Sequence, residues 1–229
     1  MYPLTHLYVT KNVLEKLSPA LALGSVLPDV LTSAGMNWKE AHSLKDIPHQ
    51  EILLGNLIHG INLPGLDYYS DCAFGEKEGF AFQYASNLAQ DLTALGIPKE
   101  HALWRGHNFI EMAIEVKLNQ SENELWQELE VAAKDEHLKS VVYELLNKAG
   151  YNENHLVNLV LDRFLSIRGQ LDKLAEDYAK KLSSIYQIQI KNESCQKLIL
   201  KSQDLVSDYY KVFLEKCCRK IAQDITSYL

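Results

Sequence analysis

From residue 120 to the C-terminus the apolar residues recur at helical spacing with few breakers between them. Within 154–176, Leu156, Leu159, Val160, Phe164, Leu165, Leu171 and Leu174 follow at spacings of three or four, occasionally one or six, which gathers them on one face of a helix. The C-terminal segment repeats the pattern with Leu198, Leu205, Val206, Tyr209, Val212, Phe213 and Ile221. Alternation with the period of a half-buried strand is almost confined to Tyr186-Gln-Ile-Gln-Ile190, five residues between two helical patterns. A chain patterned this way buries its apolar residues by packing helix on helix, so the expected fold is all-α. The pattern predicts helices near 8–17, 19–24, 50–61, 78–95, 98–119, 122–148 with a break near His137, 153–186 and 193–228.

No internal repeat or Gly/Ser/Pro-rich linker divides the 229 residues, and 47% hydrophobic content is enough for one substantial core. The expectation is a single domain over 1–229 whose two halves differ in character. All six Pro, nine of the 11 Gly and six of the eight His lie at or before His107. The chemistry is therefore expected in residues 1–119, with long amphipathic helices over 120–229. Within the first half, 63–77 reads as an irregular connection containing Pro64, Gly65, Gly75, Asp67 and Asp71, and long loops of that kind often carry function.

A formal charge of −7, with no Lys/Arg run longer than two, argues against nucleic acid as the main partner. A phosphate substrate stays open, because bound divalent cations supply positive charge that the sequence does not count. Cys72, Cys195, Cys217 and Cys218 have neither metal-site spacing nor a disulfide framework, which suits a reducing cytoplasm. No secretory signal and no apolar stretch of membrane-spanning length is evident, so a cytoplasmic protein without a transmembrane segment is expected.

Several polar residues interrupt apolar surroundings. His107 and Glu111, at i and i+4 in Gly106-His-Asn-Phe-Ile-Glu111, share a helix face and can grip one cation. Phe109, Ile110, Met112, Ala113 and Ile114 make that helix apolar nearly all round, so the pair should be buried and in need of a partner. His59 breaks the apolar run Leu53–Ile61, and His49 opens the same helix after Pro48. His42, in Lys39-Glu-Ala-His42, looks more exposed. Asp29 follows Pro28 among apolar residues and reads either as a turn cap or as a ligand. His6 stands near a start that reads as disordered or as the first part of a site. His101, His137 and His155 read as surface residues. The sequence contains no H-E-x-x-H, adjacent His-Asp pair, E-x-x-H, G-x-S-x-G, P-loop or G-x-G-x-x-G.

In chain order the pieces are Thr5-His6, Gly24-Ser-Val-Leu-Pro-Asp29, a histidine at 42 or 49, Leu54-Gly-Asn-Leu-Ile-His59, Asp67-Tyr-Tyr-Ser-Asp71 and Gly106-His107-Asn-Phe-Ile-Glu111. Over roughly residues 1–115 this order resembles the zinc-dependent phospholipase C family, and more distantly the single-strand-specific zinc nucleases. The resemblance implies an all-α fold that clusters three zinc ions on His and Asp/Glu ligands. It implies one zinc on Asp29, His42 or His49, His59 and Asp67, a second shared by Asp67 and His6, and a third on His107 and Glu111. The chain departs from the family at three points. His59 and Asp67 stand eight apart where H-x-x-x-D is usual, and the further histidine joining H-x-x-x-E is missing, with Asp71 the nearest substitute. The secreted enzymes use a free mature N-terminus as a ligand, whereas this chain starts at Met1.

Such a donor set suits two or three zinc ions, with manganese or iron compatible. Clustered cations acidify water and offset charge on a phosphate ester. The leading expectation is thus a phospholipase C-like phosphoester hydrolase acting on a small phosphate ester or a phospholipid, with Asp29 as catalytic base. Tyr68, Tyr69, Phe80 and Phe82 are candidates for its pocket wall. The alternatives are a non-catalytic protein that a metal cluster staples, and a helical interaction module whose residues 120–229 bind a partner. Oligomeric state is not readable from the sequence.

Overall fold

The computed structural model describes residues 1–228, and among these it is all-α. Its helices are α1 (Pro3–Leu14), α2 (Pro19–Ser33), α3 (Trp38–Ala41), α4 (Gln50–His59), α5 (Phe80–Ala85), α6 (Ala89–Ala94) and α7 (Lys99–Asn119) in the first half. The second half adds α8 (Trp126–Lys134), α9 (Glu136–Lys148), α10 (Asn154–Ile167), α11 (Leu171–Tyr186), α12 (Asn192–Val206) and α13 (Tyr210–Ile225). A two-stranded hairpin, Ala73–Phe74 with Lys77–Glu78, is the sheet among the described residues. The Tyr186–Ile190 run is not a strand: Gln187 turns left-handed at φ 53° and ends α11.

Two expected long helices are each divided. Arg168 and Gly169 adopt positive φ between α10 and α11, and a turn at 207–209 separates α12 from α13. The break near His137 falls at Asp135, whose side chain accepts from the His137 and Leu138 amides and starts α9 as an N-cap.

The closest helix contact sets the geometry of the site. A Cβ on Gly24 would lie 2.3 Å from the Ile52 carbonyl oxygen, and one on Gly55 2.5 Å from that of Leu21. Glycine at both positions lets α2 and α4 approach backbone to backbone. Around this pair, α8 and α10 pack on α2, α12 on α7, and α13 on α1. One core cluster therefore runs through both halves of the chain.

α1 starts at His6's side of the molecule without a capping side chain of its own, its N-cap being Tyr2. Glu115 of α7 caps it instead. Its carboxylate accepts from the Leu4 amide at 2.9 Å and from the amide and hydroxyl of Thr5, each at 2.9 Å. The start, read as either disordered or the first part of a site, is thus a buried helix, with His6 fixed on its first turn.

Candidate metal centre

Three groups of side chains bring ligand atoms together: His6, Asp29 and His59; His42, His59 and Asp67; and Asp71, His107 and Glu111. Within each group the ligand atoms lie within 4.8 Å of one another, and these buried groups could hold a metal ion.

The tautomers of two histidines follow from their outer contacts. His59 Nδ1 lies 2.7 Å from the Ser25 carbonyl, a contact made possible by the α2–α4 approach. His42 Nδ1 lies 2.9 Å from the Trp38 carbonyl. A carbonyl only accepts, so each Nδ1 carries a proton, and in the neutral ring each Nε2 is left as a lone pair. Those two Nε2 atoms face Asp67 Oδ2 at 3.1 and 3.3 Å, and His6 Nε2 faces Asp67 Oδ1 at 3.4 Å. Lone pairs directed at a carboxylate repel unless a proton or a cation stands between them. The Nε2 atoms of His6, His42 and His59, and the Nδ1 atoms of His6 and His107, are buried without a hydrogen-bond partner, as is Asp71 Oδ1. Backbone carbonyls holding the far ring nitrogen are the usual support for metal-ligating imidazoles.

The electrostatics divide the rings: burial works against a charged His59, yet Asp67 outweighs it and raises that ring above the ordinary histidine range, so a proton can stand between His59 Nε2 and Asp67 where a cation otherwise would. Burial lowers the His6 and His107 rings below the ordinary histidine range, His6 strongly so, with the His59 ring stacked on His6 at 3.6 Å lowering it further. Burial works against a charged Asp67 carboxylate, yet the Met1 ammonium and the neighbouring His59 and His6 outweigh it and hold Asp67 well below the usual range. Burial and the adjacent Glu111 push Asp71 well above that range. The Met1 amino group lies between the second and third groups, 2.8 Å from Asp67 Oδ1 and 3.2 Å from Glu111 Oε1. A buried ammonium between two carboxylates marks a place that favours positive charge.

Local structure explains the irregular spacing noted in the sequence. After α4 the chain turns at 60–66, and the Gly65 amide bonds back to the Gly60 carbonyl at 3.0 Å. This fold-back returns Asp67 to His59 across the eight-residue gap. A π-helical turn, Tyr68–Cys72, then carries Asp71 toward α7, where it meets His107 and Glu111. Ser70 in the same turn donates to Glu111 Oε1 at 2.8 Å. π-turns of this kind recur at functional sites.

Against the sequence reading, some placements change. His49 caps α4, its Nδ1 accepting from the Ile52 amide, and it lies outside all three groups. His42 is not exposed but buried, as the C-cap of α3 with Trp38 stacked on its ring at 4.4 Å. Asp29 sits inside α2 rather than capping a turn. His59 belongs to two groups, and His6 Nε2 also comes within 3.4 Å of Asp67 Oδ1. His101, His137 and His155 are exposed.

A cavity of about 270 Å³ opens beside the groups and is lined by Asp29, Asp67, Asp71, His107 and Glu111. None of Tyr68, Tyr69, Phe80 and Phe82 lines it; Phe80 stacks on Phe213 at 4.1 Å and Phe82 on His107 at 4.6 Å. Its remaining wall comes from residues missed in the sequence, including Arg105 of α7, Arg163 of α10, and Asp177, Tyr178 and Lys181 of α11. The second half of the chain therefore contributes to the site, contrary to the expected division. All four cysteines are free, and no helix among the described residues is long and apolar enough to cross a membrane.

Comparison of the chain with protein-family models, with curated proteins and with solved structures finds no match.

Proposed function

We propose that this chain is a metal-dependent phosphoester hydrolase of phospholipase C-like type, with zinc as its metal. The observation that carries the reading is the set of unpartnered imidazole nitrogens, on His6, His42, His59 and His107, gathered with carboxylates at the edge of an open cavity. Imidazole with carboxylate is a donor set suited to zinc. His59 Nε2 has one lone pair, so the two groups that share it form one merged ligand set around Asp67. The Asp71, His107 and Glu111 group is separate, and two ions is the minimum this arrangement serves.

A bound zinc supplies Lewis acidity toward a phosphoryl oxygen and acidifies water. The chain's own residues do the rest. Ser25 and Trp38 carbonyls fix the His59 and His42 rings, and Ser70 holds Glu111. Asp29 both lines the cavity and belongs to the first donor group, which supports its carboxylate as the acceptor of a proton from an attacking water. The open cavity favours turnover over a purely structural staple, because structural metal sites are closed.

The test is hydrolysis of nitrophenyl phosphate mono- and diesters by the protein as purified. Turnover should be abolished by chelator, restored by zinc, and reduced at least about 100-fold in Asp29→Asn, whose amide cannot take a proton. A fully metallated protein inert toward every class of phosphate ester overturns the hydrolase and leaves the staple. An equally active Asp29→Asn variant removes Asp29 as base.

A further inference from the structure

The cavity is polarised. Asp29, Asp67, Asp71 and Glu111 gather where the metal donors lie, while α7, α10 and α11 present Arg105, Arg163 and Lys181 to the same space. One carboxylate in that wall offsets these three cations: Asp177 accepts from Arg163 Nε at 2.8 Å and from its second guanidinium nitrogen. That grip fixes Arg163 in place. Arg105 donates to a neutral partner, the Tyr186 hydroxyl, at 2.9 Å, and its guanidinium also acts on the Tyr178 hydroxyl, again a neutral group. Lys181 has no carboxylate partner among the described residues, its ammonium lying 5.9 Å from the centre of the Tyr178 ring. Two positive charges are thus left over on a wall facing the donor set.

A second observation is independent of charge. Tyr178 lines the cavity, is 1% exposed, and its hydroxyl has no hydrogen-bond partner. A buried hydroxyl without a partner is costly unless something in the cavity accepts from it. Burial holds this hydroxyl well above the ordinary tyrosine range, so it remains a neutral donor, and burial together with Arg163 and Arg105 lowers the Lys181 ammonium. An anion here would offset the Lys181 shift and accept from the neutral Tyr178 hydroxyl.

We infer that Arg105, Arg163, Lys181 and Tyr178 form a second anion subsite, and that the substrate carries a phosphate or carboxylate besides its scissile phosphoryl group. The inference rests on the hydrolase reading for the location of the first anion. A phosphoryl group at the metal donors and a second anion at this wall would be gripped from both sides, which a singly charged ester cannot be. The same chemistry is offered by a soluble bisphosphate and by an anionic lipid headgroup.

Calorimetric titration of the protein as purified with alkane bisphosphates of graded length, against alkyl monophosphates of matched length, tests this without turnover. The best bisphosphate should bind at least about tenfold more tightly than its monophosphate. That ratio should fall toward one in Lys181→Gln and in Arg105→Gln, with helical circular dichroism confirming that both variants fold. Equal affinities, or a ratio that survives both substitutions, overturn the subsite. Co-sedimentation with vesicles of phosphatidylcholine containing phosphatidic acid identifies the source: binding lost in Lys181→Gln assigns the subsite to a lipid headgroup, and retained bisphosphate binding without vesicle binding assigns it to a soluble ester. A protein that discriminates bisphosphates yet hydrolyses no ester keeps the subsite and loses the hydrolase. One that hydrolyses esters without discriminating keeps the hydrolase and loses the subsite.

Discussion

Replacing Glu115 with Gln probes how the helix that carries His6 is held. Glu115 is 1% exposed and accepts three hydrogen bonds from the start of α1, yet burial outweighs them and raises its carboxyl to about 7, against 4.5 for an unburied glutamate. A carboxyl raised in the folded state favours the folded, protonated form. Its contribution to stability is therefore complete below 4.5 and is lost as pH rises through about 7. At about 1.36 kcal/mol per pKa unit, that interval corresponds to about 3 kcal/mol. Gln does not titrate. It keeps one acceptor oxygen and leaves a donor of α1 without a partner, a pH-independent loss of about 1–3 kcal/mol. Urea unfolding of both proteins in chelator, followed by circular dichroism from about pH 5 to about pH 8, should show the wild type losing about 2–3 kcal/mol relative to Glu115→Gln across that range. Parallel pH profiles would refute the reasoning, because they would mean that Glu115 is not held raised by burial.

Two further expectations follow from the packing around the site. Gly55→Ala places a methyl group 2.5 Å from the Leu21 carbonyl and 2.6 Å from the Ser25 amide, so α2 and α4 must separate. It should lose about 1–3 kcal/mol in denaturant unfolding and also bind less metal, since the Ser25 carbonyl orients His59; unchanged metal content would separate the helix contact from the site. His107→Ala and Glu111→Ala should each lower metal content while keeping a helical circular dichroism spectrum. Both variants retaining full occupancy would make this pair structural.

The sequence carried the all-α fold because apolar spacing over α8–α13 is a local signal that tertiary packing had no cause to override. It carried the burial of His107 and Glu111 for the same reason. The start of α1 was not legible, because its cap is Glu115, more than a hundred residues away, rather than a residue at Tyr2. His42 was misread because its burial depends on a four-residue helix and on contacts that no local pattern encodes. The division at Arg168 and Gly169 did have a signal, the glycine beyond a helix end, which the strong periodicity on either side obscured. The cationic wall was invisible for a different reason. Arg163, Asp177 and Lys181 look like the solvated face of amphipathic helices until α10 and α11 are folded against the donor set. Local pattern locates candidate ligands, whereas the cavity that would make them a site is a product of long-range packing.

The central claim is that the buried histidines and carboxylates hold metal. Elemental analysis of protein purified without chelator tests it most directly. The account predicts at least two equivalents of transition metal per chain, predominantly zinc, as the merged His59 set and the Asp71–His107–Glu111 set require. A preparation with less than about 0.2 equivalents that takes up none when zinc is added would contradict it, since avid sites of this donor type do not remain empty under those conditions.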